Sequence, residues 1–282
     1  MLVRRVPRWL LLFALVVGAQ AAMAGSALAF TPQRDDAAVF AGPIQHAKGG
    51  GGGSGASSAP RGYDISYPQC GAAYPTNPVF AIVGINGGKV FSINPCLASE
   101  IAWGGGAHAE LYANTGNPGP ALSSFWPKGQ TTPRSCDPNN PDTADCAFDY
   151  GFNAAKHSFE TAQAAYRTLG LTASPSGTRW WLDVETMNSW RNDVSLNVAA
   201  LQGEIAYLRD VAAVAAIGFY STQYQWNTIT AGSFTFAANP SWVAGGGTLK
   251  GAQDLCRQPA FTGGAVVLAQ YFSSSFDANV RC

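Results

Sequence analysis

The chain has 282 residues, with 17 basic and 17 acidic side chains, and only 12% of it is charged, about half the usual ~25%. With no excess of basic groups it lacks the electrostatic footprint of a nucleic-acid binder, and nucleic acid is not expected as a partner. Its surface must be solvated by Asn, Ser, Thr, Gln and Gly, which suits an extracellular setting.

The first thirty residues carry Arg4, Arg5 and Arg8, then an apolar run over 9–17, then small residues with two Ala-x-Ala patterns. That order predicts a signal peptide over 1–29 rather than a membrane anchor, and no later stretch is apolar enough to span a bilayer. Its removal leaves 14 basic against 17 acidic groups, a net charge of about −3. Residues 30–60 include five consecutive glycines after Lys48 and read as a flexible tether. A single domain is therefore expected over 61–282, close to the ~250 residues of a typical (β/α)8 barrel.

Within that domain, β-branched and aromatic runs predict strands over 63–66, 79–85, 109–113, 178–185, 216–221, 241–244 and 265–272. Helical patterns alternate with them, which implies parallel strands and an α/β fold. Phe152, Ala155, Phe159, Ala162, Tyr166 and Leu169 fall at 3-4-3-4-3 spacing and stop at Gly170, a natural residue after a helix end. A second helix is expected after Asp193 as N-cap, with Val198, Leu201, Ile205, Leu208 and Val211 on its buried face. Ahead of the first of these helices, 115–149 is rich in Pro, Gly and Asn and reads as a long loop.

Six cysteines lie in the exported part, an even number in an oxidising compartment, so three disulfides are expected. Nearness in sequence favours Cys136 with Cys146, and suggests Cys70 with Cys96 and Cys256 with Cys282. A zinc site is disfavoured, because no Cys-x-x-Cys pair exists and His46, His108 and His157 are scattered. Oxygen ligands in 137–145 lack the glycine and terminal glutamate of a calcium loop, so a cystine-closed turn is the simpler reading, and no metal or other cofactor is expected. A serine hydrolase is disfavoured by the absence of a Gly-x-Ser-x-Gly elbow.

The residues most suited to chemistry are Asp183 and Glu185, directly after Trp180-Trp181-Leu182. Two residues apart on a strand point the same way, with Cα atoms about 6 to 7 Å apart. At ~6 Å and an effective dielectric near 20, two carboxylates repel by roughly 3 kcal/mol, so one tends to keep its proton near neutral pH. A protonated acid beside an anion is what glycosidic cleavage requires. Two acids at a strand end are also commonly just solvated or ion-paired, but the buried Trp-Trp-Leu run ahead of them fits a barrel strand opening into an active site. Asp64, at the first strand, and Asp277, after the last, would converge on the same barrel mouth, since first and last strands of a barrel are neighbours. Tyr63, Tyr112, Trp181, Tyr220, Trp226 and Trp242 offer ring faces for sugars, with Tyr112, Tyr220 and Trp242 the favoured members.

These residues together resemble glycoside hydrolase family 25, the lysozyme-type muramidases, over essentially all of 61–282. The resemblance rests on Gly62-x-Asp64-x-Ser66 followed by Gln69, on Asp183-x-Glu185, on Gly218-Phe219-Tyr220-Ser221, on Trp242-Val243-Ala244, and on Gln270-Tyr271 followed by Asp277-x-Asn279. It implies an irregular TIM-like α/β barrel in which Asp64, Asp183, Glu185 and Asp277 line the active site, Glu185 is the proton donor, and Gln270 joins the substrate-binding set. The pattern departs at Gly84-Ile85-Asn86, where an acidic turn is usual, at Tyr112-Ala113-Asn114, and at Ala269, where Trp is common. The expectation is a secreted or wall-associated monomeric glycosidase acting on peptidoglycan or a related cell-wall polysaccharide. The alternative is a non-catalytic wall-glycan binding or scaffold protein that keeps the barrel.

Overall fold

The computed structural model describes residues 61–273 and 276–282; the expected signal peptide and tether lie outside the described residues. Eight strands form a closed barrel: β1 (Arg61–Ile65), β2 (Ala81–Gly84), β3 (Glu110–Asn114), β4 (Arg179–Asp183), β5 (Ala216–Ser221), β6 (Ser241–Val243), β7 (Val266–Ser273) and β8 (Phe276–Arg281). They neighbour one another in chain order, and β1 through β7 run parallel. The last strand, β8, is antiparallel to both β7 and β1 and seals the barrel between them. The sequence reading had seven parallel strands, with Asp277 beyond the last; the structure adds an eighth strand and places Asp277 on it.

Helices α1 (Leu97–Trp103), α2 (Ala144–Thr168), α3 (Val194–Ala206), α4 (Gln223–Thr230) and α5 (Leu249–Leu255) occupy crossovers. The link from β1 to β2 carries only a short 3-10 turn (Tyr67–Gln69), so the helix ring is irregular. Strands with both faces covered read as continuous apolar runs, and all four residues of β2 are buried. On the outside, Val83, Leu111, Trp180, Leu182, Val184 and Phe219 pack against the buried faces of the helices. On the inside, Ile82, Trp181, Trp242 and Leu268 fill the barrel.

The helix predicted to end at Gly170 does stop there, with Gly170 in the left-handed region at φ +68° after a Leu169 cap. It begins earlier than expected: Thr143 caps it by accepting a hydrogen bond from the Cys146 backbone N–H, so the end of the predicted loop is its first turn. The Cys136–Cys146 disulfide ties that turn to the loop, and Cys70–Cys96 and Cys256–Cys282 also pair as expected. Asp193 caps α3 through the Ser195 N–H. Val211 does not share the buried face with Leu201, Ile205 and Leu208 but is 59% exposed. The helix passes into a π-type turn over Tyr207–Val211, and the extra residue in that turn rotates Val211 away from the core.

The acids and amides of 137–145 have separate structural jobs. Asp137 closes a turn on the Asn139 N–H, Asp142 pairs with Arg191, and Asp145 pairs with Arg134. Among the described residues no group of three or more His, Cys, Asp or Glu side chains is arranged to hold a metal ion, and no helix is long and apolar enough to cross a membrane.

Gly218 on β5 is what lets Trp181 lie inside the barrel. A Cβ at that position would come within 2.4 Å of the Trp181 ring and 2.8 Å of the Pro240 carbonyl oxygen. Neither the central indole nor the strand backbone can retreat, so Gly218→Ala is expected to destabilise the domain by about 2 to 3 kcal/mol. Urea unfolding checks this; an unchanged midpoint would show that the barrel interior is looser than this packing requires.

Candidate active site

The barrel interior is layered. At its floor, Glu110 of β3 accepts hydrogen bonds from the Trp181 indole N–H at 2.7 Å and from the Arg281 guanidinium of β8 at 2.6 Å, a bond that crosses the barrel. Above it sits the apolar plug of Ile82, Trp181, Trp242 and Leu268. Above that, at the C-terminal ends of the parallel strands, come Asp64, Tyr112, Tyr220 and Gln270, and then Asn114, Asp183 and Glu185. Because β8 runs the other way, Asp277 at its start lies at the same end and pairs directly with Asp64 in the β1–β8 register. The four predicted carboxyls are thus brought to one mouth.

Asp64 is buried and receives three amide N–H contacts, from Gln270 Nε2 at 3.2 and 3.1 Å and from Asn279 Nδ2 at 2.6 Å. Both amides are themselves oriented: the Tyr220 hydroxyl donates to Gln270 Oε1 at 2.7 Å, and the Trp242 indole N–H donates to Asn279 Oδ1 at 2.8 Å. Both amides therefore present their N–H donors to Asp64. Burial nevertheless wins, helped by the charge of Asp277, and pushes Asp64 up to about 7.

Asp183 is 3% exposed. One carboxylate oxygen accepts from Asn114 Nδ2 at 2.7 Å, and its backbone carbonyl accepts from the Thr115 hydroxyl at 2.6 Å. Burial first, and then the Glu185 carboxylate, hold its carboxyl well above the ordinary aspartate range, and its side chain shares a hydrogen bond with Glu185. Strand β4 ends at Asp183 rather than at Glu185 as expected. The alternation continues past it: Val184 is buried in the outer layer while Glu185, half-buried, stays beside Asp183. The Trp190 indole N–H fixes the Glu185 carbonyl at 2.8 Å. Asp277 is exposed as a residue, and the burial of its carboxyl end raises it as well.

The aromatic expectations divide. Tyr112 and Tyr220 are half-buried at the mouth, and burial followed by the carboxylate charges keeps both phenols protonated. Trp242 is 2% exposed and enclosed by edge-on contacts with Tyr112 and Trp181 and a tilted one with Tyr220, so no ring face is open to a sugar; its part is to hold Asn279. Trp226 and Trp181 are fully buried, Trp226 on the outer side among Phe219, Phe236 and Phe261, which removes both from the sugar-facing set. Tyr63 packs with the cluster around Tyr271 and Val280, away from the mouth. Asn114 had not been singled out as a site residue. The signal was its place at the end of a strand beside Asp183, with which it pairs in the β3–β4 register. Asn86, at the departure on the second strand, is buried and serves as a bracket, accepting from the Asn114 N–H at 2.9 Å and reaching Ser158.

The fold and its mouth define an irregular (β/α) barrel with a desolvated carboxyl cluster at its C-terminal face. A family model described as Lysozyme-like protein 1 matches residues 151–249, about a third of the chain and the part that holds Asp183 and Glu185. Among solved structures the chain is similar to a muramidase from Trichobolus zukalii, with a TM-score of 0.50 at 16% identity over 79% of this chain and 94% of that one. It is also similar to the bacterial lysozyme from Streptomyces coelicolor, with a TM-score of 0.45 at 17% identity over 80% of this chain and 93% of that one. A comparison with curated proteins gave no match. At 16% identity the likeness to the Trichobolus zukalii muramidase shows the fold alone.

The raised pKa of Asp64 sets a pH dependence of stability. Below about 4 both folded and unfolded chains hold the proton; between about 4 and 7 only the folded chain does, so stability falls as pH rises through that window and levels off above it. Asp64→Asn removes the titration. The stability of this variant relative to wild type should climb by about 2 to 4 kcal/mol between pH 4 and pH 8, read from denaturant midpoints at each pH. A difference that stays flat with pH would mean Asp64 is solvated.

Proposed function

We propose that the protein is an O-glycosyl hydrolase that cleaves peptidoglycan or a related cell-wall glycan, with Glu185 as general acid. The observation that carries this reading is the pair of Asp183 and Glu185 side by side at the barrel mouth, Asp183 buried and raised by burial and by its neighbour's charge, Glu185 half-buried. Two carboxyls that resist ionising together hold one proton between them in the free site, as glycosidic cleavage needs. The match of a lysozyme-like family model across this segment and the muramidase-like fold support the same choice of chemistry.

In this reading the shared proton leaves through Glu185, the more exposed partner, and bonds to the glycosidic oxygen as its bond to the anomeric carbon breaks. Both carboxylates of the pair are then ionised, and the oxocarbenium-like centre that forms in front of them offsets the repulsion between their two charges, so the pair stabilises that centre. Asp183, buried and tied to Asn114 and Glu185, is a poor nucleophile. The group that attacks the anomeric carbon is then an N-acetyl oxygen of the substrate itself, a known alternative to an enzyme carboxylate. Asp64 and Asp277 add to the electrostatic stabilisation and position the sugar with Gln270, Tyr112 and Tyr220. The protein acts as a monomer outside the cell: residues 1–29 direct export, 30–60 tether the catalytic domain of 61–282, and the three disulfides suit an oxidising compartment.

Wild type should release soluble glycan fragments from purified bacterial cell walls, and Glu185→Gln should lower kcat by about 10² to 10⁴ with the fold intact by circular dichroism. Absence of release by wild type from every wall preparation tested would sink the hydrolase reading in favour of a glycan-binding role.

A further inference from the structure

We infer that Asn114 is a positioning residue of the proton-donating pair: its amide holds Asp183 with a hydrogen bond that strengthens as the shared proton leaves through Glu185. The inference rests on the hydrolase reading and adds to it the group that makes this proton easier to give up.

The amide is fixed against Asp183 from both sides. Asn114 closes β3, pairs with Asp183 in the β3–β4 register, and donates from Nδ2 to Asp183 Oδ2 at 2.7 Å. The next residue clamps the same partner, since the Thr115 N–H and hydroxyl both donate to the Asp183 carbonyl, at 3.2 and 2.6 Å. Toward β2, the ladder stops with the Ile85 N–H on the Tyr112 carbonyl at 2.9 Å, just past the end of that strand. One step on, the Asn114 N–H is met by a side chain instead, Asn86 Oδ1 at 2.9 Å. Asn86 is 2% exposed, and its own Nδ2 donates to the Ser92 carbonyl and the Ser158 hydroxyl at 3.3 and 3.4 Å, so its acceptor is turned toward β3. The two departures at 84–86 and 112–114 thus meet in one relay that ends on Asp183.

The chemistry of an amide suits this place. A cation here would keep Asp183 ionised, and the pair would hold no proton; an apolar side chain would leave the carboxylate formed by proton transfer without a donor on this face. A neutral N–H lies between these extremes. While the pair keeps its proton, Asp183 carries at most part of a charge and accepts an ordinary hydrogen bond. Once the proton has moved to the glycosidic oxygen and both carboxylates are ionised, the same bond is charge-assisted, and such bonds are roughly twice as strong. An interaction that is stronger after proton transfer than before it lowers the barrier to that transfer.

The other groups facing Asp183 do not supply this. Glu185 beside it and Asp64 of β1 oppose its ionisation by their charge. The Tyr220 hydroxyl of β5 donates to Gln270, and Tyr112 of β3 pairs with Ser66. Among the described residues Asn114 is the side chain whose hydrogen bond favours the ionised form of Asp183.

The full chain carrying Asn114→Leu is read in two ways. Carboxyl carbon NMR gives the Asp183 midpoint, and hydrolysis of soluble cell-wall glycan fragments gives kcat, KM and their pH profile. Loss of the donor should raise the Asp183 midpoint by about one pH unit and lower kcat about tenfold, while KM stays within about twofold of wild type. The alkaline limb of kcat, set by loss of the pair's one proton, should move up by about the same unit. A residue that only supports the fold would lower kcat at every pH and leave that limb in place. Asn114→Gln, which keeps an amide donor, should recover part of both effects. Where leucine prevents folding, as judged by circular dichroism, Asn114→Ala carries the same expectations. An unmoved Asp183 midpoint and alkaline limb in a folded variant would overturn the inference and leave the hydrolase reading standing. Wild type that hydrolyses no fragment would overturn both.

Discussion

Four carboxyl groups gathered at one barrel mouth, with an indole-lined interior directly beneath them, cannot all be ionised. That constraint organises the rest of the site. Trp181 and Trp242 with Ile82 and Leu268 exclude water from the barrel interior, so Asp64 and Asp183 pay desolvation that their amide partners only partly offset. Both are pushed up toward the neutral form, and a supply of held protons near neutral pH follows from packing.

The amides keep these acids in place. Asn279 and Gln270 would be free to flip without the Trp242 indole N–H and the Tyr220 hydroxyl, each of which leaves one amide orientation with its donor toward Asp64. The antiparallel strand β8 makes this possible. By running against β1 and β7 it brings Asp277 and Asn279 over Asp64 at one end and sends Arg281 across the floor to Glu110 at the other. One strand thus supplies the rim, the bracket and the base of the barrel interior. Sites that store unfavourable charge in this way lower the stability of their fold, which is the usual trade between activity and stability.

The acids were legible because they stand where apolar runs end, and a strand end after Trp180-Trp181-Leu182 has few bland explanations. Helix α3 and the stop of α2 were legible from spacing and caps. Strand β8 was not: Phe276-Asp277-Ala278-Asn279-Val280-Arg281 puts acid and amide on its inward side, the reverse of an ordinary apolar pattern, because that side faces a polar site. Trp242 was misread as a sugar platform because sequence shows that a ring lies on a strand but not how deep in the barrel it sits. Asn114 was passed over since an amide carries no titratable signal until its partner is known, and Val211 was misplaced by a π-type turn that a strict 3.6-residue period does not contain. In each case the missing information was three-dimensional: depth in the barrel, cross-strand register, or one extra residue in a turn.

The account stands on held protons at the mouth. Carboxyl carbon NMR titration of the full chain, with Asp64 and Asp183 assigned by Asp64→Asn and Asp183→Asn, reads them directly. The account predicts that the Asp64 carboxyl titrates with a midpoint near 7 and that Asp183 stays protonated well above the ordinary aspartate range, its titration shifting when Glu185 is replaced by Gln. Ordinary midpoints near 4 for both, independent of Glu185, would contradict it.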